Sequence, residues 1–219
     1  MDERVTERGG AARPCRVKVC GITRLEDALG CVERGAGRLG LNFWAGTARR
    51  VELGIARQIA SALADRVELV GVFVDASIAE ILETRRATGI ELVQLHGEEP
   101  PALLEALLPR AYKALRVAGP EALLEARRFA GEELLVDASV PGQVGGTGQR
   151  CDWEIAAAIA RERTMSLAGG LRPENVAEAI ARVRPAWVDV ASGVERAPGV
   201  KDLDRVEAFI RAVQAASIA

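Results

Sequence analysis

Short apolar, β-branched runs alternate along the chain with longer stretches whose apolar residues recur at helical spacing. The runs are RVKVC (16–20), RLGLNF (38–43), VELVGVFV (67–74), ELVQL (91–95), AYKALRV (111–117), ELLVD (133–137), TMSLA (164–168) and WVDVA (187–191). Each reads as a strand. The amphipathic stretches LEDALGCVERG, VELGIARQIASALA, IAEILETRRATG, PALLEALLP, PEALLEARRFAG, WEIAAAIARER and PENVAEAIARV separate them, and KDLDRVEAFIRAVQAA follows the last. Thr23, Ser77 and Asp152 stand where N-caps are expected, Pro173 lies near a first helical turn, and Gly35, Gly89 and Gly131 close helices. Parallel strands joined by right-handed crossovers leave an open doubly wound sheet or a closed barrel. Eight units in 219 residues, about 27 residues each, favour an α/β chain folded as a single (β/α)8 TIM barrel. KVCGIT after the first strand is also not the glycine-rich fingerprint of an open nucleotide-binding sheet.

Composition narrows the function classes. With 49% hydrophobic and 27% charged residues and a formal net charge of -2, the chain is a globular protein without the basic footprint of nucleic-acid binding. No run approaches the roughly 20 apolar residues of a membrane helix, so no membrane partner is expected. The first thirteen residues, MDERVTERGGAAR, read as a flexible polar leader, and residues 14–219 as one catalytic barrel domain. The four cysteines form no CxxC pair, which indicates neither a zinc site nor a disulfide framework. A reduced, cytoplasmic protein with no metal site is the simplest reading.

In such a barrel the active site lies where the strands end. Strand one ends in Lys18-Val19-Cys20-Gly21, strand two runs on to Asn42-Phe43-Trp44 and Arg49-Arg50, strand four ends in Gln94-Leu95-His96-Gly97, and strand six ends in Asp137. Lys18 and Cys20 share a strand face, so both point into the barrel if either does. Asp189 on strand eight is then a partner for the buried lysine. A cation near Cys20 would favour its thiolate, against the plainer reading of a small buried hydrophobe. Asp137 is either a functional acid or a turn-capping side chain. Arg49 is a two-pronged carboxylate clamp or a solvated loop arginine. His96, the only histidine, reads as a wall residue rather than a base. The glycine runs GGTG (145–148), AGGL (168–171) and ASGVE (191–195) suit a phosphate site, because glycine lets backbone N–H groups approach an anion closely.

The blocks KVCGIT, GLNFW with Arg49 downstream, VGVFVD, VQLHGEE, VDAS followed by GGTG and DW, LAGGLRPENV, and VDVASGVE with PGVKD resemble, in this order, the phosphoribosylanthranilate isomerase family of tryptophan biosynthesis. The resemblance covers residues 16 to 210. It implies a (β/α)8 barrel and a cofactor-free Amadori rearrangement of N-(5'-phosphoribosyl)anthranilate to 1-(o-carboxyphenylamino)-1-deoxyribulose 5-phosphate. It further implies Cys20 as general base, Asp137 as general acid and Arg49 as clamp of the anthranilate carboxylate. Gly145, Gly146, Gly169, Gly170, Ser192 and Gly193 would hold the phosphate. Ala191 stands where the family usually has a serine, which shifts phosphate binding there towards backbone groups. The alternatives are a catalytically silent phosphosugar-binding barrel and a related aldosamine-to-ketosamine isomerase. Phosphosugar barrels that use several lysines or histidine-bound metals fit poorly, since the chain has three lysines and one histidine.

Overall fold

The computed structural model describes residues 14–63, 65–117, 119–137 and 150–218. Eight parallel strands close into a barrel in sequence order: β1 (Arg16–Cys20), β2 (Arg38–Asn42), β3 (Glu68–Phe73), β4 (Leu92–Leu95), β5 (Ala111–Arg116), β6 (Glu133–Asp137), β7 (Thr164–Ala168) and β8 (Trp187–Val190). Closure comes from β8 pairing with β1, with Lys18 opposite Asp189. The helices are α1 (Leu25–Glu33), α2 (Leu53–Leu63), α3 (Ile78–Thr88), α4 (Pro101–Leu107), α5 (Glu121–Ala126), α6 (Arg150–Glu162), α7 (Val176–Val183) and α8 (Leu203–Ile218). They form the outer layer, and the (β/α)8 expectation holds strand for strand.

Parallel strands in this architecture are covered on both faces, which is why the runs read as nearly continuous apolar stretches. Outward residues such as Val17, Val19, Leu39 and Leu41 pack under the helices in one large core. Inward residues form a second, smaller cluster, Val70, Leu92, Tyr112, Ala114, Leu135 and Ala168. The interior also holds buried charges. The buried Arg38 bonds to Glu68 and Glu133 and lies 4.0 Å from the centre of the Trp187 ring, whose other neighbour is the Arg16 guanidinium at 3.8 Å. Lys18, with no accessible surface, donates to Asp189 Oδ2 at 2.6 Å and to Gln94 Oε1 at 2.9 Å. Burial is the largest single influence and works against the Lys18 charge, but Asp189, with smaller help from Cys20 and Tyr112, outweighs it and the ammonium stays protonated.

Local chemistry sets the element ends. Ser77 and Glu80 form a reciprocal capping box at the start of α3, and Gly89 ends that helix at φ +77°. Thr23 does not cap α1: Arg24 occupies that position, because the Thr23 hydroxyl is engaged with the Gly199 carbonyl. The helix α6 starts at Arg150, ahead of Asp152. Gly131, at φ +89°, turns the chain into β6 beyond the end of α5 rather than closing the helix. After β8 come a 3-10 turn (Ser192–Val194) and an antiparallel hairpin, β9 (Glu195–Ala197) and β10 (Val200–Lys201), which the periodicity does not announce. Among the described residues no helix is long and apolar enough to cross a membrane.

The buried pair across the closing seam sets a stability expectation. Lys18→Met leaves Asp189 as an unpaired carboxylate whose Oδ1 is already buried without a hydrogen-bond partner among the described residues. Urea denaturation should show a loss of about 3–5 kcal/mol, and a loss below about 1 kcal/mol would mean that the pair does not secure the closure.

Candidate active site

The carboxyl ends of β1, β2, β4, β6, β7 and β8 meet at one mouth. Inward parity carries Lys18 and Cys20 on β1, Gln94 and then His96 on β4, and Leu135 and then Asp137 on β6. Cys20 stands at the rim, half-buried, above Lys18. Room for it comes from Gly40, its register partner on β2, since a Cβ at position 40 would lie 2.7 Å from Cys20 Sγ. Asp137 ends β6, three strands from β1 around the closed sheet, so the two face each other across the opening. Arg116, exposed at the end of β5, lies in register with Asp137 and brings a cation to this rim.

Burial pushes the Cys20 thiol up from its ordinary pKa, and the neighbouring Lys18 and Lys201 oppose that shift without cancelling it. The expected preference for the thiolate is therefore not met. The physical reason is that removing the thiolate from water costs more than two cations already committed to Asp189 and Glu195 give back. Lys201 donates to the Cys20 carbonyl at 2.6 Å as well as to Glu195 Oε1 at 2.9 Å, tying the rim of β1 to the hairpin.

Arg49 is half-buried while Arg50 is exposed, which separates the two adjacent arginines. Its Nε and Nη2 grip the Glu195 carboxylate, with Nη2 2.7 Å from Oε2. The carboxylate occupies the Nε edge of the fork, and among the described residues nothing bonds the terminal Nη1/Nη2 edge, which suits a second anion. Gly21, at φ +77°, is required beside it, since a Cβ there would lie 2.9 Å from Arg49 Cδ. Arg49 and Cys20 are close enough to interact electrostatically, as are His96 and Asp137. Sequence reasoning missed Glu195 and Lys201. The one signal available was their position flanking the Arg-Ala-Pro-Gly turn, which reads as a hairpin only once Arg49 is known to need a partner.

The glycine-rich ends of β7 and β8 come together. Gly169 and Gly170 have φ of +99° and +61°, and a Cβ at Gly193 would overlap the Leu171 carbonyl at 1.9 Å. Only glycine permits that approach, which places Ser192 and Gly193 against the loop that carries Gly169 and Gly170. Asn175 braces this loop, accepting from Arg172 N at 2.8 Å and donating to the Gly170 carbonyl at 3.1 Å. Gly145 and Gly146 lie outside the described residues. In the VQLHGEE block, Glu99 is a structural acid: it accepts from Asp75 N at 3.0 Å and Gly97 N at 2.9 Å and pairs with the buried Lys113 at 3.1 Å.

The thiol's environment is directly measurable. Alkylation of Cys20 by iodoacetamide, followed by mass spectrometry, should keep accelerating with pH above about 8.5, the ordinary thiol pKa. A plateau at or below that value would contradict the burial-dominated environment.

Comparisons with known proteins bear on this geometry. A family profile for N-(5'phosphoribosyl)anthranilate (PRA) isomerase matches residues 17–212. The N-(5'-phosphoribosyl)anthranilate isomerase of Myxococcus xanthus is 46% identical over 208 residues, covering 93% of this chain and 98% of that protein. The crystal structure of phosphoribosyl anthranilate isomerase from Thermotoga maritima is similar with a TM-score of 0.82 and 40% identity, covering 92% of this chain and 99% of that one. Another solved phosphoribosyl anthranilate isomerase, in complex with reduced 1-(o-carboxyphenylamino)-1-deoxyribulose 5-phosphate, has a TM-score of 0.79 at 38% identity, covering 92% and 99% of the two chains. With the barrel, the mouth and these relatives in agreement, the chain belongs to the N-(5'-phosphoribosyl)anthranilate isomerase family.

Proposed function

We propose that this barrel is an isomerase that converts N-(5'-phosphoribosyl)anthranilate to 1-(o-carboxyphenylamino)-1-deoxyribulose 5-phosphate in tryptophan biosynthesis, with Cys20 as general base and Asp137 as general acid. The observation that carries the reading is the placement of a thiol and a carboxyl at facing strand ends of one mouth, within a family of that activity. The relative solved with a reduced product analogue supports the same substrate class.

The reaction needs two proton transfers at different atoms. Asp137 gives a proton to the ribose ring oxygen as the C1'–O bond breaks and the anilino nitrogen lone pair forms the C1'=N bond of a protonated Schiff base. Cys20, as thiolate, removes the C2' proton, and the electron pair left behind neutralises the nitrogen to give an enolamine. Ketonisation moves the 2'-hydroxyl proton's equivalent to C1' and completes an isomerisation with no net gain or loss of atoms. The reactive enzyme therefore carries its proton on Asp137 and its negative charge on Cys20, beside Lys18 and Lys201. Burial makes that thiolate a scarce but strong base.

Arg49, braced by Glu195, offers its free edge to the anthranilate carboxylate. The loops bearing Gly169, Gly170, Ser192 and Gly193 hold the phosphate through backbone N–H groups, and Gly145 and Gly146 complete that site on the strength of the sequence pattern. The enzyme acts as a monomer or a homodimer; one solved Thermotoga maritima relative is described as dimeric, with monomers generated from it.

Loss of anthranilate-type fluorescence on conversion of freshly made substrate, in buffer with chelator, tests the reading. Cys20→Ser and Asp137→Asn should each lower kcat by about 10² to 10⁴ while the fold is kept. A folded wild type that binds a reduced product analogue but converts nothing would favour the silent binding barrel. Gly40→Ala, which drives Cys20 out of place, should cost about 10² in kcat/KM at unchanged Asp137; near-normal turnover in that variant would remove Cys20 from the mechanism.

A further inference from the structure

His96 is not used by the two proton transfers above, yet its surroundings leave it one chemical state. Gln94 lies two residues earlier on the same face of β4, with no accessible surface. Its Oε1 receives the Lys18 ammonium at 2.9 Å and the Tyr112 hydroxyl at 3.0 Å. An ammonium has only donors to offer, so this end of the amide is the oxygen. The amide nitrogen is thereby turned towards His96, and Nε2 of Gln94 lies 2.6 Å from His96 Nδ1. A primary amide nitrogen cannot accept, so Nδ1 must. The ring proton is left on Nε2, on the side of the ring turned away from the Gln94 amide.

We propose that Gln94 is a positioning residue that fixes His96 as a neutral imidazole with its proton on Nε2, and that this N–H donates a hydrogen bond to a sugar oxygen of the substrate beside Asp137. The proposal rests on the isomerase reading and assigns within it a residue that the acid–base pair leaves over. A protonated ring would need Nδ1 to become a donor facing a donor, which the Gln94 amide forbids. Burial lowers the His96 pKa; Asp137 on β6 and Asp189 on β8 oppose this, while Lys18 on β1 and Lys113 on β5 add to it. The clamp is itself anchored: Lys18 is held by Asp189 at 2.6 Å, and burial keeps the Tyr112 phenol protonated. Orientation thus passes from Asp189 through Lys18 and Gln94 to one imidazole edge.

The chain contains a single histidine, so ¹⁵N-histidine labelling reports His96 alone. The full-length wild type should show the neutral Nε2–H pattern through the range of about pH 5–8 in which an ordinary histidine titrates. Gln94→Glu replaces the donor with an acceptor and should convert the pattern to Nδ1–H or to the doubly protonated ring, with kcat/KM falling about tenfold or more. His96→Gln, which keeps a donor near the Nε2 position, should retain more turnover than His96→Asn, which does not; this pair carries the test should Gln94→Glu fail to fold. An Nδ1–H tautomer in the wild type overturns the proposal, as does an altered tautomer in Gln94→Glu with unchanged kinetics, or equal losses in the two His96 variants. A wild type with no turnover at all sinks the isomerase reading and this role together, whereas the other failures leave the isomerase standing.

Discussion

Lys18 and Asp189 meet at 2.6 Å inside the barrel, on the two strands that close it. A charge without accessible surface is tolerated only when paired and hydrogen-bonded, so the pair constrains everything near it. It ties β1 to β8 at the level just below the mouth. It spends the Lys18 charge largely on Asp189, which leaves Cys20 above it a thiol raised by burial. Through the second Lys18 hydrogen bond it also orients Gln94, and Gln94 orients His96.

A second constraint is close approach. Gly40 makes space for Cys20, Gly21 for Arg49, and Gly193 for the loop after β7. At each point a Cβ would displace a side chain of the mouth or overlap backbone, and so the glycines of the motif blocks act on the chemistry by what they leave empty. The hairpin after β8 complements them: Glu195 and Lys201 hold Arg49 and the Cys20 carbonyl from the far side. The rim is thus a polar frame fixed from several directions, as preorganised catalysis requires.

Much of this was legible in the chain. Strand positions followed from β-branched apolar runs, because parallel strands buried on both faces must be apolar throughout. The mouth followed because a closed parallel barrel puts all strand ends on one side, so that Cys20, His96 and Asp137 could be placed there by position alone, without their roles. Even the Lys18–Asp189 pair was foreseeable, from inward parity on β1 and the adjacency of first and last strands. Less legible were Glu195 and Lys201, whose hairpin is too short for a periodic signal, and Arg116, which follows an apolar run like any solvated arginine.

The sequence by itself determined the fold class, the mouth and the family, since each depends on patterns repeated along the chain or on blocks read in order. Only the tertiary structure decided the state of the groups at the mouth. Whether Cys20 favours a thiolate depends on the balance between lost water and nearby cations. Where the His96 proton sits depends on which end of an amide two other strands hold. Both are sums over neighbours distant in the chain, so no local pattern of residues could have encoded them.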